Sequence, residues 1–469
     1  MIENSNMNST EVAIIKSSSP SEAITDGIES LGGISGFVEK GDQVFVKINL
    51  RTPGGFPVNI NFDTIKTIIN LCKEVEAKKI FVGSYPLSRL KTDSVAKTLG
   101  IQSYIESLGA EFVFLDDQNK YPLKSVEING KTIEFPKVIL ESDKLILLNQ
   151  ISVDPLFKCT ISLLNTYSLV SNQFQKIKKN VRSGKDYLHL DQYKQDLITN
   201  ILDVFSVKKP SLVINDLFYF LEGAGPFIYK DSNLKRTNLI VVGNDAVAVD
   251  LITLRLFEID LLSSDILLEA RNRTLGITDI SNIKLIGENL GDIRLNVDFC
   301  VSKLEDINIK NTYVKSGRTC SGCFKEAYHL LNLMKTHMTK DLKYIVNQSF
   351  LIGEKPPKPE SLENIILFGD CAIESTENRE FRKIIITNSK DYLETAKKKL
   401  KKDFKAQDKT TIKEKINKKI VELPGCPPSR FDCLNTLISY YGKSQVPNLF
   451  FFNNLIKTYY NQETDKKTK

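Results

Sequence analysis

Short apolar runs alternate along the chain with longer stretches of helical spacing. VFVKINL, from Val44 to Leu50, reads as a strand. FDTIKTIINLCKEVEAKK follows with Ile65, Ile68, Ile69 and Cys72 on one side, as an amphipathic helix requires. The strand IFVGSYP, a helical stretch around SVAKTLGIQSYIESLGA and the strand EFVFLDD come next. DKLILLNQ, SLVINDL and TNLIVVGND continue the series, with a helical DLITLRLFE behind the last. Strand and helix alternating at this spacing predict an α/β fold with a mostly parallel sheet covered by helices. Beyond residue 310 the apolar runs ENIILFGDC and KKIVELPGC predict a second, smaller α/β domain that carries cysteines. The expected boundaries are 10–300 for the first domain and 310–469 for the second.

The strands end in polar residues. VFVK runs into Lys47 and Asn49, IFVG into Ser84, and EFVFL into Asp116 and Asp117. LILL gives way to Asn149, LVI to Asn215 and Asp216, and LIVVG to Asn244 and Asp245. Open parallel sheets bind ligands outside the carboxyl ends of their strands. Asn and Asp also end strands for a simpler reason, because they make turns and cap helices. That account leaves Lys47 unexplained, since a lysine behind three apolar residues is drawn into the interior and needs an anionic partner.

Composition changes the picture little. Hydrophobic residues make up 41% of the 469 and charged residues 26%, the balance of an ordinary globular protein. No apolar run is long enough to span a bilayer, and the opening MIENSNMNSTEVAII lacks the regions of a signal peptide, so a cytoplasmic protein without a membrane partner is expected. The net charge of +7 is concentrated: between Lys390 and Ile420 twelve lysines face five acidic residues, an excess equal to that of the whole chain. Leu400, Phe404, Ile412 and Ile416 give this stretch one apolar face, which predicts a lysine-covered solvent face. No aromatic interleaving or RNA-binding signature directs it to nucleic acid.

VFVKINLRTPGG, followed by a helix and KIFVGSYP, resembles the opening of the family called domain of unknown function 362, whose strand carries Lys-Pro-Asn-Leu. LHLDQY, SLVINDLFYFLEGAGP and VVGNDAVAVDLIT are similar to its later blocks, so the likeness covers roughly residues 10–260. It implies a site at Lys47, Asn49, His189, Asp216, Glu222, Gly223, Gly225, Pro226, Asp245 and Asp250. Of these, Lys47, His189 and Asp216 are the expected catalytic groups, and Asn49, Glu222, Gly223, Gly225 and Asp245 the expected binding groups. The chain departs from the family where Ile48 replaces the proline. Where the family carries Pro-Lys-x-Lys-Thr-His, the chain reads LNQISVDPLFKCT, which leaves Lys158, and LLNTYSLVSN keeps Asn165. Gly223 and Gly225 read as a phosphate cradle or as a plain turn, and His189 as a base, a ligand or a helix-start residue.

Eight cysteines in a chain of this size make no disulfide scaffold. Cys72, Cys159 and Cys300 sit among apolar neighbours and read as core. GRTCSGCF is different: its Cys-x-x-Cys turn lets Cys320 and Cys323 face one metal. Cys371 and Cys426 each follow an apolar strand, and Pro427 and Pro428 bar the second from continuing. Four thiolates suit a [4Fe–4S] cluster, or zinc as the alternative. Gly-Cys-Pro-Pro also resembles the cluster loops of hydrogenase and respiratory-complex small subunits. Cys433 is a spare that can replace one ligand, whereas His329, in the helical HLLNLM, is not chosen.

Two functions follow. The first is an iron–sulfur protein with a redox or electron-transfer role, linked to a pocket for an unidentified small-molecule substrate. With no flavin or nicotinamide motif in the chain, a ferredoxin-like donor is its expected partner. The second is a non-catalytic module whose zinc or cluster holds a fold or senses redox state.

Overall fold

The computed structural model describes residues 9–87, 89–171, 191–343, 345, 347–382 and 420–460. His189 and the lysine-rich segment 390–419 lie outside the described residues. The chain divides into two compact units, one of residues 1–178, 195–300 and 459–469, the other of 179–194 and 301–458.

The first unit is built on one mixed sheet. Its strands are β1 (Thr10–Lys16), β2 (Gln43–Lys47), β3 (Lys79–Gly83) and β4 (Glu111–Val113), a separate hairpin of β5 (Leu123–Ile128) and β6 (Lys131–Pro136), then β7 (Lys144–Asp154) and β8 (Lys158–Cys159). Then come β9 (Leu212–Gly223), β10 (Ser232–Arg236), β11 (Leu239–Gly243) and β12 (Ile283–Gly287). The sheet order is β12-β1-β11-β9-β7-β2-β3-β4, with β10 paired to β9 and β8 to β7. β2, β3, β4, β7 and β9 pair in parallel, as the alternating pattern predicts. β11 runs antiparallel to both of its neighbours, β1 and β9.

Helices cover the two faces. The ones that matter for the site are α1 (Pro20–Ser30), α2 (Phe62–Glu74), α3 (Thr92–Leu99), α4 (Ile101–Ser107), α5 (Ser162–Thr166) and α6 (Ala246–Arg255). The stretch expected as one helix near Ser94 is two, because Gly100 adopts φ +67 and ends α3. Strand alternation sorts the side chains. Val44, Val46, Ile48, Ile146, Leu148, Leu212 and Ile214 enter one core with Ile24 and Ile28 of α1 and Ile65 and Ile68 of α2. The opposite face carries α5 and α6, which tie into it through polar side chains.

The second unit holds four parallel strands: β13 (Thr312–Ser316), β14 (Gln348–Ile352), β15 (Asn364–Phe368) and β16 (Ile420–Leu423), in that spatial order. Around them are α7 (Ser321–His337), α8 (Asp370–Thr376), α9 (Arg430–Tyr441) and α10 (Pro447–Lys457). Among the described residues no helix is long and apolar enough to cross a membrane.

Gly83 shows how tightly the parallel edge is drawn. A Cβ there would lie 2.9 Å from Val113 O and 3.2 Å from Val113 Cβ, so β4 would have to move away from β3. Gly83→Ala is expected to lower stability by about 1–3 kcal/mol, the usual cost of overpacking. Urea unfolding measures it, and an unchanged midpoint would contradict the close approach.

Candidate functional site

β2 delivers Lys47 to the carboxyl edge of the first sheet, fully buried and on the α5/α6 face. Leu147 of β7 and Val213 of β9 lie in register with it, so Asn49, Asn149 and Asn215, each two residues further on, share that face. Asn165 of α5 joins them. Lys47 Nζ donates to Asn165 Oδ1, and Asn165 Nδ2 donates to Asn49 Oδ1 at 3.2 Å and to Asn149 Oδ1. Asn149 Nδ2 donates to Asn215 Oδ1 at 2.9 Å, and Asn215 Nδ2 donates to Asp250 Oδ1 and Thr253 Oγ1, both at 2.9 Å. Asp250, inside α6, also accepts from Ser162 N, Ser162 Oγ and Leu163 N at the start of α5.

The result is a buried ladder of amides with one direction. Every step donates from the Lys47 side toward the Asp250 carboxylate. Burial, and secondarily the Arg51 guanidinium, hold the Lys47 ammonium well below its ordinary range. Burial also raises Asp250 to about 6, against the hydrogen bonds that favour its charge.

The other expected site residues do not join this face. Asp216 lies one position beyond Asn215, so its side chain leaves the sheet on the α1/α2 side, opposite Lys47. One cleft containing both is therefore ruled out by alternation. Asp216 Oδ1 accepts from Phe218 N at 2.9 Å where the β7–β9 register slips, and Gln150 Nε2 fills the slip by donating to Tyr219 O at 2.9 Å. Burial raises Asp216 to about 7, and Gln150, its register partner, has a buried Oε1 without a donor.

Asp245 is displaced for another reason. β11 opposes β9, so its carboxyl end lies at the amino edge of the parallel strands. There Asp245 caps α6, accepting from Val247 N at 2.9 Å and Ala248 N at 3.0 Å, and holds Ile277 N at 3.0 Å. It lines an open cleft of about 630 Å³ with Thr10, Lys209, Asn244 and Gly276.

Glu222 accepts from Asn233 Nδ2 at 2.9 Å and Asp298 N at 3.3 Å, which joins the β9–β10 hairpin to the segment before Cys300. Gly223 and Gly225 lie at the tight turn between β9 and β10. Gly223 N donates to Asp298 O and Ala224 N to Asp231 O, so neither N–H is left for an anion. A Cβ on Gly223 would meet Asp231 O at 2.3 Å, and one on Gly225 would meet Val153 O at 2.6 Å. Lys158 lies over the Phe299 ring, 5.9 Å from its centroid.

The second unit gathers its cysteines at a strand edge. Cys320, in the connection after β13, sits at the N-cap of α7, with Cys323 in the first turn. Cys371 lies in the first turn of α8, after β15, and Cys426 follows β16, so three strands of one parallel sheet lead to cysteines. Gly425 N donates to Asp370 Oδ1 at 2.6 Å, and Asp370 N to Gly425 O at 3.1 Å, which clamps the residues beside Cys426 and Cys371 together. Gly369, at φ +87, lets Cys323 pack against the same turn: a Cβ there would lie 3.2 Å from Cys323 Sγ. The buried Cys323 thiol is pushed up, first by its hydrogen bond with Cys320, then by burial and by the charges of Cys320, Cys371 and Cys426. Cys433 is not among those neighbours. It is buried on α9, where burial raises it to about 12.

The Gly369 turn leaves Cys323 room to approach. Even so, among the described residues no group of three or more Cys, His, Asp or Glu side chains is drawn up to hold a metal ion. Cys72, Cys159 and Cys300 are buried, and so is His329, whose imidazole burial holds well below its ordinary range.

Residues 44–255 match the family model described as Domain of unknown function (DUF362). The matched span contains the whole ladder from Lys47 to Asp250. The structure of the lactate racemase apoprotein from Thermoanaerobacterium thermosaccharolyticum is similar at 12% identity and a TM-score of 0.30, over 49% of this chain and 54% of that one. The chain thus covers about half the length of that solved relative. A search of the curated proteins finds no match.

Asp216 yields a pH test. Its carboxyl is raised in the folded state, so the folded protein keeps this proton while the unfolded chain releases it. Stability should therefore fall as pH rises from the unfolded value near 3.8 to about 7, then level off. Asp216→Asn should remove that fall, leaving the variant more stable than the parent at pH 8 and no more stable at pH 4. Parallel fall of both proteins in urea titrations would show that Asp216 is ionised in the fold.

Proposed function

We propose that the second unit holds a [4Fe–4S] cluster on Cys320, Cys323, Cys371 and Cys426, and that the chain is a redox or electron-transfer protein whose DUF362 unit binds a small molecule. The observation that carries the reading is the clamp between the β15 and β16 turns, with Cys323 Sγ packed against Gly369 between them. It brings together cysteines that are 48 or more residues apart in sequence from a Cys-x-x-Cys turn on α7.

Each part of this edge has a task. Cys320 stands at the N-cap of α7, beside the positive end of the helix dipole. The Asp370 clamp holds Cys371 and Cys426 on adjacent strand ends. Pro427 and Pro428 offer no N–H and keep the chain from extending β16 past the thiol. A bound cluster would supply one-electron transfer. The DUF362 match supports a fold and a family for the first unit without giving it a reaction. A ferredoxin-like donor is the partner that the absence of flavin and nicotinamide motifs favours.

Protein purified without oxygen is expected to be brown and to contain about four iron and four sulfide per chain. Cys371→Ala and Cys426→Ala should each lose iron and destabilise the second unit, since ligation there contributes to folding. Iron and sulfide analysis with the visible spectrum decides it. Colourless protein with one zinc per chain would replace the cluster with the structural-metal reading, and metal-free protein would remove both.

A further inference from the structure

We propose that the carboxyl edge of β2 in the first unit binds a small oxyanion, a carboxylate or a phosphate ester, held by Lys47, Asn49 and Arg51. This deepens the small-molecule half of the proposed function and does not depend on the cluster.

The three residues alternate along the chain as it leaves β2, and the groups they leave over are all donors. Lys47 is fully buried, and its ammonium has three N–H groups, of which one is given to Asn165 Oδ1. Among the described residues it has no carboxylate at ion-pair distance. Asn49 is also buried. Its Oδ1 accepts from Gln150 N at 2.9 Å and from Asn165, while its Nδ2 has no partner among the described residues. Arg51, half-buried, donates to Val58 O at 3.1 Å and leaves the rest of its fork unused. Arg51 and Lys47 lie close enough to repel each other.

Nearby carboxylates do not resolve this. Asp154 attracts Arg51 without coming within ion-pair distance among the described residues, and its Oδ1 accepts from Leu156 N and Phe157 N at 2.8 and 2.9 Å. Asp250 is reached from Lys47 only through three amides, and Asp216 lies on the other face. A buried cation beside a second, half-buried one is costly unless an anion lies between them. The amide ladder cannot turn to provide an acceptor, because every amide oxygen on it is already taken and reversing one step would set donor against donor. An oxyanion uses this arrangement as it stands. A planar or tetrahedral group of oxygens accepts the Arg51 fork, the free Nδ2 of Asn49 and the remaining Lys47 donors together. Half-buried Arg51 offers the approach from solvent.

The test is calorimetric titration of the full-length protein with malonate and, separately, with inorganic phosphate. Saturable binding of at least one is expected; malonate alone would mark a carboxylate ligand and phosphate alone a phosphate ester. Lys47→Met and Arg51→Gln should each weaken that binding by roughly tenfold or more, with iron content unchanged. Arg51→Gln keeps the test valid if Lys47→Met does not fold. The proposal is overturned if neither anion binds the folded parent, or if binding is undiminished in the Arg51 variant. Loss of iron from the parent would strike the cluster reading and leave this one standing.

Discussion

The first unit depends on how a lysine is kept inside it. Lys47 is fully buried at the carboxyl end of β2, and among the described residues no carboxylate lies at ion-pair distance to stabilise its charge. The chain meets that requirement with amides. Asn165, Asn149 and Asn215 pass hydrogen bonds in one direction to Asp250, which anchors the start of α5 through Ser162 and Leu163. A helix on either side of the ladder is thereby tied to the sheet by polar contacts, while the opposite face is held by apolar packing against α1 and α2. Polar networks of this kind stabilise only when each member is satisfied. Here the ladder closes at Asp250 and leaves donors over at Lys47 and Asn49, with the Arg51 fork nearby.

The second unit uses a different device for a related end. Parallel strands place successive turns side by side, so residues remote in sequence meet along one edge. The Asp370–Gly425 hydrogen bonds lock two such turns, and Gly369 gives up its side chain so that Cys323 can approach. Acidic and glycine residues next to the cysteines thus matter as much as the thiols, because they set which loops lie together.

Alternation and strand direction decided which candidates could meet. Asn215 and Asp216 are neighbours in sequence, yet one faces Asn149 and the other faces the core beside α1. Asn244 and Asp245 end a strand just as Asn149 does, but β11 runs the other way and carries them to the far edge. Gly223 and Gly225 read as a plain turn or a phosphate cradle in the sequence, and in the fold the Gly223 and Ala224 N–H groups are bound to Asp298 and Asp231. Nothing in RTPGG marks Arg51 as half-buried. A cation four residues after a buried lysine was the signal available.

The sequence by itself determined the α/β class, the strands carrying Lys47, Asn149 and Asn215 and those leading to Cys371 and Cys426, and the likeness to the DUF362 family. Those features are local: apolar runs of strand length, polar residues at their ends, and motif blocks within a few residues of each other. Only the tertiary structure decided the order and direction of the strands, the register between β7 and β9, and the loops that lie beside Cys323. These depend on pairings between residues up to more than two hundred positions apart, as between Thr10 and Ile283. No local pattern encodes such a pairing, because strands of the same composition can pair in either direction, and a shift of one residue moves every side chain to the opposite face.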